Sequence, residues 1–220
     1  MPAYFSTYIV LLIISAAITF SASLTARKRK APGSSTLTAL LVALSMWSAF
    51  SAAQYIQEGF AAKFFWLNVM VVPVAAVPIL FMNFILKFSG NTVWFTRRTL
   101  IAFFVFSIAF ILLQWTNSYH HLVLSSVQLV EQDGFPVLEI QRGPIYFVNL
   151  ALAYSTVTIG TLTLMREALR ASNLYRNQYR LLLLGCIIPF AFSIYSQIKY
   201  ISFSSLDISP ISFGITGVIF

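Results

Sequence analysis

An all-α membrane protein built as a bundle of seven transmembrane helices is the fold class this sequence predicts, and three observations predict it. Of 220 residues, 59% are hydrophobic and only 9% charged, against about a quarter charged in soluble domains, so lipid is the main solvent. The apolar residues gather into runs of about 20, the length a helix needs to cross a hydrocarbon core of about 30 Å. The basic residues sit in short loops between those runs, mostly in alternate loops, which is the pattern of membrane orientation. The formal net charge of +8 thus has a topological cause, and nucleic acid is not an expected partner.

The first span, Tyr4–Ala26, carries its positive charges after the apolar stretch and has no basic segment before it. It therefore reads as a retained helix and not a cleaved signal peptide. The second span is Thr36–Gln57 and the third is Lys63–Phe88, interrupted by Pro73 and Pro78. Thr99–Thr116 is the fourth, and Pro144–Arg166 the fifth, opening on a proline suited to an early helical position. Tyr179–Tyr200 is the sixth and contains Pro189. A seventh begins near Ser209 and is truncated at Phe220, after about half a span, so more protein is expected to follow it. The single cysteine, Cys186, lies inside an apolar run and forms no internal disulfide.

Orientation follows from the loops. "RKRKAPGSS" (Arg27–Ser35), "SGNTVWFTRR" (Ser89–Arg98) and "REALRASNLYRNQYR" (Arg166–Arg180) carry most of the Lys and Arg. The other set holds or borders only Lys63, Arg142 and Lys199, together with Glu58, Glu131, Asp133, Glu139 and Asp207. The positive-inside rule then sets the N-terminus outside and the seventh helix heading inward. The longest outer loop, Asn117 to Gly143, contains "VQLVEQDGFPVLEIQ". Two β-prone runs flank Asp133-Gly134, a favoured hairpin turn pair, so a small external β-hairpin is expected between helices 4 and 5.

Polar groups inside a bilayer face the bundle interior or a wet cavity. With the N-terminus outside, Trp66, Asn68, Trp115, Asn117, Tyr146, Asn149, Tyr195, Gln197 and Asp207 fall in the outer half, where they either converge on an outward-open small-molecule pocket or hydrogen-bond across helices as glue. "TNSYHH" places His120 and His121 at the outer mouth of the fourth helix. Adjacent histidines point in different directions and no acid or thiol cluster accompanies them, so no metal site is expected. His120 is left either as part of a network with Asn117 and Tyr146 or as the polar end of a helix. Pro73, Pro78 and Pro189 free backbone carbonyls and serve as bends or pivots. At the basic face, Arg176 and Arg180 share one helix surface, suited to anionic lipid headgroups or to coupling with the seventh helix. No mid-span acid supports ion-coupled transport, no catalytic motif is present, and no cofactor is demanded.

Several segments together carry a family resemblance: "MWSAF" (Met46–Phe50), "AAKFFWLNVMVVPVAAVPILFMNFILKFSG" (Ala61–Gly90), "LLQWTNSYHHLV" (Leu112–Val123), "RGPIYFVNLALAY" (Arg142–Tyr154), "YRNQYRLLLLGCIIPF" (Tyr175–Phe190) and "LDISPISFGITG" (Leu206–Gly217). In this order and spacing they resemble the seven-helix N-terminal sensor region of bacterial histidine kinases, found also on some diguanylate cyclases. The resemblance implies that residues 1–220 form a single sensor domain, not itself an enzyme, whose seventh helix continues into a cytoplasmic output module. It implies a multi-pass protein of the bacterial cytoplasmic membrane, homodimeric at full length, with an unidentified small or membrane-dissolved ligand. On this reading Trp66, Asn68, Trp115, Asn117, His120, Tyr146, Asn149, Tyr195 and Asp207 are candidate ligand contacts. Pro78, Tyr175, Arg176, Gln178, Pro189 and Pro210 are candidate relay positions. The competing class is a small-molecule transporter or permease, which would need a through-path and opposed gates.

Overall fold

The computed structural model describes the backbone of residues 3–90, 97–132, 134–170, 173–201 and 207–219, and the side chains of residues 5–90, 98–132, 134–170, 176–198 and 207–219. Its elements run α1 (Ala3–Lys28), α2 (Ser34–Ile56), α3 (Phe60–Ser89), α4 (Arg97–Trp115), α5 (Asn117–His120), β1 (Leu124–Gln132), β2 (Phe135–Arg142), α6 (Pro144–Arg170), α7 (Asn173–Ile201) and α8 (Ser209–Ile219). Among them, α1, α2, α3, α4, α6 and α7 are long and apolar enough to cross a membrane, and α8 is a shorter apolar helix. Helices stand at all seven expected positions, six of spanning length and the seventh as the short α8, and the expected hairpin lies between α4 and α6.

The helices overrun the apolar runs where the flanking sequence favours helix. The loop expected at Arg166–Arg180 is helical on both sides, through Arg170 and again from Asn173. Its Arg, Glu, Ala, Leu and Gln residues have good helix propensity and continue the spans past the apolar stretch. Phe60–Ala62 likewise add a turn ahead of Lys63. The four-residue α5, Asn117–His120, adds a turn where the sequence predicts only loop.

Helices adjacent in the chain pack on one another except α4 and α6, which both pack on α3. α2 packs against α1 and α3, α6 also against α7, and α8 closes the arrangement by meeting α7, α1 and α2. The contact of α1 with α8 is built from small residues, since without a hydrophobic drive between helices in lipid, close backbone approach supplies the attraction. Ser15, Thr19 and Ser23 form a buried stripe four residues apart on α1. A Cβ on Gly214 would lie 3.3 Å from the Ser15 Cα, and one on Gly217 3.1 Å from the Thr19 Cα. The Ser15 and Ser48 hydroxyls both donate to the Pro210 carbonyl, at 2.7 and 2.9 Å, so α1 and α2 grip the start of α8 at one point.

Apolar packing divides along the bundle. At the end carrying the basic loops, Leu41, Phe84, Ile85, Leu164 and Phe213 belong to one core drawn from six helices. At the opposite end, Phe135 and Val137 of the hairpin pack on Phe5, Tyr8, Leu12 and Tyr55, while Val123 and Leu124 pack on Ala75 and Phe110. The hairpin is thus docked onto the bundle as a roof. Its strands are antiparallel, with Gln132 opposite Phe135 and a register shift between Leu124 and Ser126. Gly134 takes the positive φ, 74°, that the two-residue turn requires; Asp133 lies outside the described residues. Outside the bundle, large apolar side chains stand exposed, among them Phe104, Leu112 and Leu162, as expected where lipid is the solvent.

Candidate functional site

Under the hairpin roof lies a cavity of about 300 Å³, at the small end of the range that holds small-molecule ligands. Its walls come from α2, α3, α4, α6, α7 and α8 and from Tyr8 of α1, with Leu124, Ile140 and Arg142 above. Deep down they are apolar and aromatic, with Leu44, Val74, Phe106, Phe190 and Phe213. Toward the hairpin they turn polar, with Gln54, Gln114, Tyr146, Asn149, Gln197 and Asp207.

The polar end is partly pre-ordered. Gln197 Oε1 accepts from Arg142 Nη1 at 2.6 Å and from the Tyr146 hydroxyl at 3.1 Å. The Arg142 guanidinium also lies over the Tyr146 ring, 4.4 Å from its centroid, a favourable stacking that holds both side chains. Tyr154 meets the Ser193 hydroxyl at 2.9 Å and ties α6 to α7 a turn or two deeper. One carboxylate oxygen of Asp207 accepts from Ser209 N–H at 2.9 Å, and the Tyr8 hydroxyl donates to the Asp207 carbonyl. One group on the wall has no such tie. The Trp47 indole N–H is buried without a hydrogen-bond partner. Buried polar groups are nearly always paired, so this N–H is a place where an occupant's acceptor fits.

The residues singled out in the sequence divide sharply. Tyr146, Asn149 and Asp207 line the cavity, as do Pro78 and Pro189. Asn68 is buried one step behind it, accepting from Gln114 Nε2 at 2.9 Å, and Gln114 is on the wall. Trp66 packs instead against Phe50 and Phe65, with centroids 5.7 and 5.6 Å away. Trp115 and Tyr195 are about half exposed on the outer surface. Helix periodicity turns these three away from the interior, a direction that their depth along the span does not reveal. Arg176 and Gln178 are exposed at the basic end, and the side chain of Tyr175 lies outside the described residues.

Asn117 and His120 form a buckle at the root of the hairpin. The Asn117 Oδ1 accepts from Val123 and Leu124 N–H, both at 3.0 Å, and its Nδ2 donates to the Leu124 carbonyl at 2.8 Å. His120 Nδ1 accepts from Leu122 N–H at 3.0 Å, so a neutral ring carries its proton on Nε2, 3.2 Å from the Thr116 hydroxyl. His121 takes a left-handed φ of 53° to cap α5. The strand leaving the buckle and the helix returning to it are joined by Gly143 N–H to the Val123 carbonyl at 2.8 Å and Ile145 N–H to the Leu122 carbonyl at 3.0 Å. A Cβ on Gly143 would stand 2.2 Å from the Leu122 oxygen, which only glycine avoids. The expected network of Asn117, His120 and Tyr146 is therefore two networks. Local backbone groups saturate Asn117, while Tyr146 pairs with Gln197.

Sequence reading missed Trp47, Gln54 and Gln114 as ligand candidates. Trp47 and Gln54 stand seven apart on α2 and so share a face, a signal available in the sequence once the inward face of α2 is known. Pro189 shows what its kink does. Proline removes the N–H that would bond the carbonyl of residue 185, and the Thr216 hydroxyl of α8 takes that place, donating to the Gly185 carbonyl at 2.9 Å.

The chain matches the family described as the N-terminal 7TM region of histidine kinase over residues 10–220. No curated protein and no solved structure matches it.

Proposed function

Since the chain belongs to the family of N-terminal 7TM regions of histidine kinases, we propose that it detects a small, largely apolar ligand in the cavity beneath the hairpin and relays occupancy through α8. The family is sensory, and such a domain is not itself catalytic. Its helices sit in a lipid bilayer and feed a cytoplasmic output module of the signalling protein.

One observation carries the relay reading: α8 is part of the cavity wall. Phe213 and Thr216 share that wall with Gln54, Tyr146 and Asn149. A ligand touching Phe213 contacts the output helix directly, and it favours whichever placement of α8 it binds better. Pro189 and Thr216 form the adjustable joint between α7 and α8, and the grip of Ser15 and Ser48 on Pro210 is the fixed point about which α8 tilts. Pro78, on the same wall, gives α3 a bend beside the ligand. Tyr146, Asn149 and Asp207 address the polar head of the ligand. Asn68 supports Gln114, and Asn117 and His120 hold the roof. Arg176, Gln178 and Tyr175 lie at the basic face, where anionic headgroups or the neighbouring output segment meet α7.

The basic loops supply the orientation: N-terminus outside, cavity in the outer half, α8 pointing to the cytoplasm, in the bacterial cytoplasmic membrane and as a homodimer in the full-length protein. Impermeant thiol labelling of single-cysteine variants in intact cells tests this. Glu58→Cys should label from outside and Lys30→Cys should not, and the reverse pattern overturns the orientation. For the ligand, gentle purification followed by native mass spectrometry should reveal a bound small molecule that is lost in Asn149→Leu. Phe213→Ala should retain the molecule while abolishing its effect on the output. An output that still responds in Phe213→Ala removes the relay from this wall.

A further inference from the structure

We infer that the cavity is entered sideways from the bilayer, through a gap between α4 and α6, by a medium-chain amphiphile that places its polar head under the hairpin and its apolar tail beside Trp47. This rests on the ligand-cavity reading above and adds its route and chemical class.

Three observations meet here. First, α4 packs against α3 and α5, α6 packs against α3 and α7, and no comparable interface joins α4 to α6 among the described residues. Second, the buried seam of α6 is confined to the basic-loop half, at Thr156, Gly160, Leu164 and Ala168. There a Cβ on Gly160 would come within 2.7 Å of the Phe81 ring, so α3 and α6 touch closely. Nearer the hairpin, α6 has no buried residue from Pro144 to Ser155. Close packing of α6 on α3 is thus seen at the Gly160 level and not nearer the hairpin. Third, the edges of the gap are cavity wall on both sides. Phe103, Phe106 and Phe110 on α4, and Asn149, Ala153 and Val157 on α6, line the cavity at helical spacing.

The other ways in are obstructed. Above, the hairpin covers the cavity with Leu124 and Ile140, and its root is clamped by the Asn117 and Gly143 hydrogen bonds. Below, Phe81 and Phe213 belong to the tightly packed core. Among the described residues, the lateral side offers a passage of apolar and aromatic side chains, which suits a molecule already dissolved in lipid. The Gln54 and Asn149 side chains, on the wall toward the hairpin, receive its head. Trp47 lies seven residues from Gln54, about 10 Å along α2, which sets the length of the tail.

A single-tryptophan chain (Trp66→Phe, Trp94→Phe, Trp115→Phe) in liposomes provides the test, with terminally brominated undecanoic acid as a short-range quencher whose bromine would reach Trp47. The fatty acid should quench at least half of the Trp47 emission. Ala153→Phe, which narrows the gap, should reduce the quenching rate at least threefold, Ala153→Leu should be intermediate, and Ala151→Phe on the exposed face of the same helix should leave it unchanged. Unchanged helical circular dichroism identifies the variants that fold. Equal quenching rates in Ala153→Phe and Ala151→Phe overturn the portal but leave the cavity as a ligand site. Quenching by aqueous iodide at the rate of free tryptophan overturns the route from lipid, and no quenching by the fatty acid overturns both the route and the cavity reading.

Discussion

The joint between α7 and α8 permits a quantitative test, because one residue creates a defect and another repairs it. Pro189 deprives the Gly185 carbonyl of its helical partner, and Thr216, 3% exposed, donates to that carbonyl at 2.9 Å. Thr216→Val keeps the shape and removes the donor. Leaving a buried carbonyl bare costs about 1–3 kcal/mol in water-soluble proteins. Hydrogen bonds between membrane helices average about 0.6 and reach about 1.7 kcal/mol, because the unfolded chain in lipid also finds partners. A short, buried bond to a carbonyl with no helical substitute belongs near the upper figure, so Thr216→Val should cost about 1.5 kcal/mol, roughly tenfold in the folding equilibrium. In a Pro189→Ala background the restored N–H at residue 189 can satisfy the Gly185 carbonyl, and the same Thr216→Val change should cost less than about 0.5 kcal/mol. Reversible unfolding in mixed micelles measures all four corners of the cycle. Equal costs in both backgrounds would mean that the hydroxyl does not compensate for the proline, and the joint assigned to α7 and α8 would lose its physical basis.

Two further outcomes are expected from the hairpin end. Asn117→Ala removes three side-chain hydrogen bonds to the β1 root and should cost about 2–3 kcal/mol, with faster amide exchange at Val123 and Leu124, whereas His120→Ala removes one bond to the Leu122 amide and should cost about 1 kcal/mol; comparable exchange in the two variants would refute the buckle. Lys63, 1% exposed, has its ammonium 4.9 Å from the Phe135 ring centroid and 3.3 Å from the Gln54 carbonyl. A desolvated cation–ring contact is worth about 2 kcal/mol, so Phe135→Leu should be more damaging in the natural chain than in a Lys63→Met background, as thermal unfolding of the four variants will show; additive effects would mean that the cation does not hold the roof.

Much of the fold was legible because a bilayer imposes a simple ruler. The apolar runs had to be helices of a certain length, the Asp133-Gly134 pair had to be a turn between β-prone segments, and the basic loops had to alternate. Proline positions were equally plain, since a proline removes a particular N–H wherever it sits in a helix. Family membership was legible too, through the order and spacing of segments such as "YRNQYRLLLLGCIIPF" and "LDISPISFGITG".

Depth along each span was therefore written in the sequence, but rotation about each helix axis was decided by tertiary packing. Trp66, Asn149 and Tyr195 all lie in the hairpin half, yet only Asn149 faces the cavity. A span that meets lipid on one side and protein on the other is apolar on both, so its sequence carries little amphipathic signal to orient it. Asn117 could have been a ligand contact by composition; the return of β1 across its side chain consumed its hydrogen bonds instead. The placement of α4 and α6 without a shared interface among the described residues, and the meeting of Thr216 with the carbonyl that Pro189 frees, depend on parts of the chain distant in sequence, and only the assembled bundle determines them.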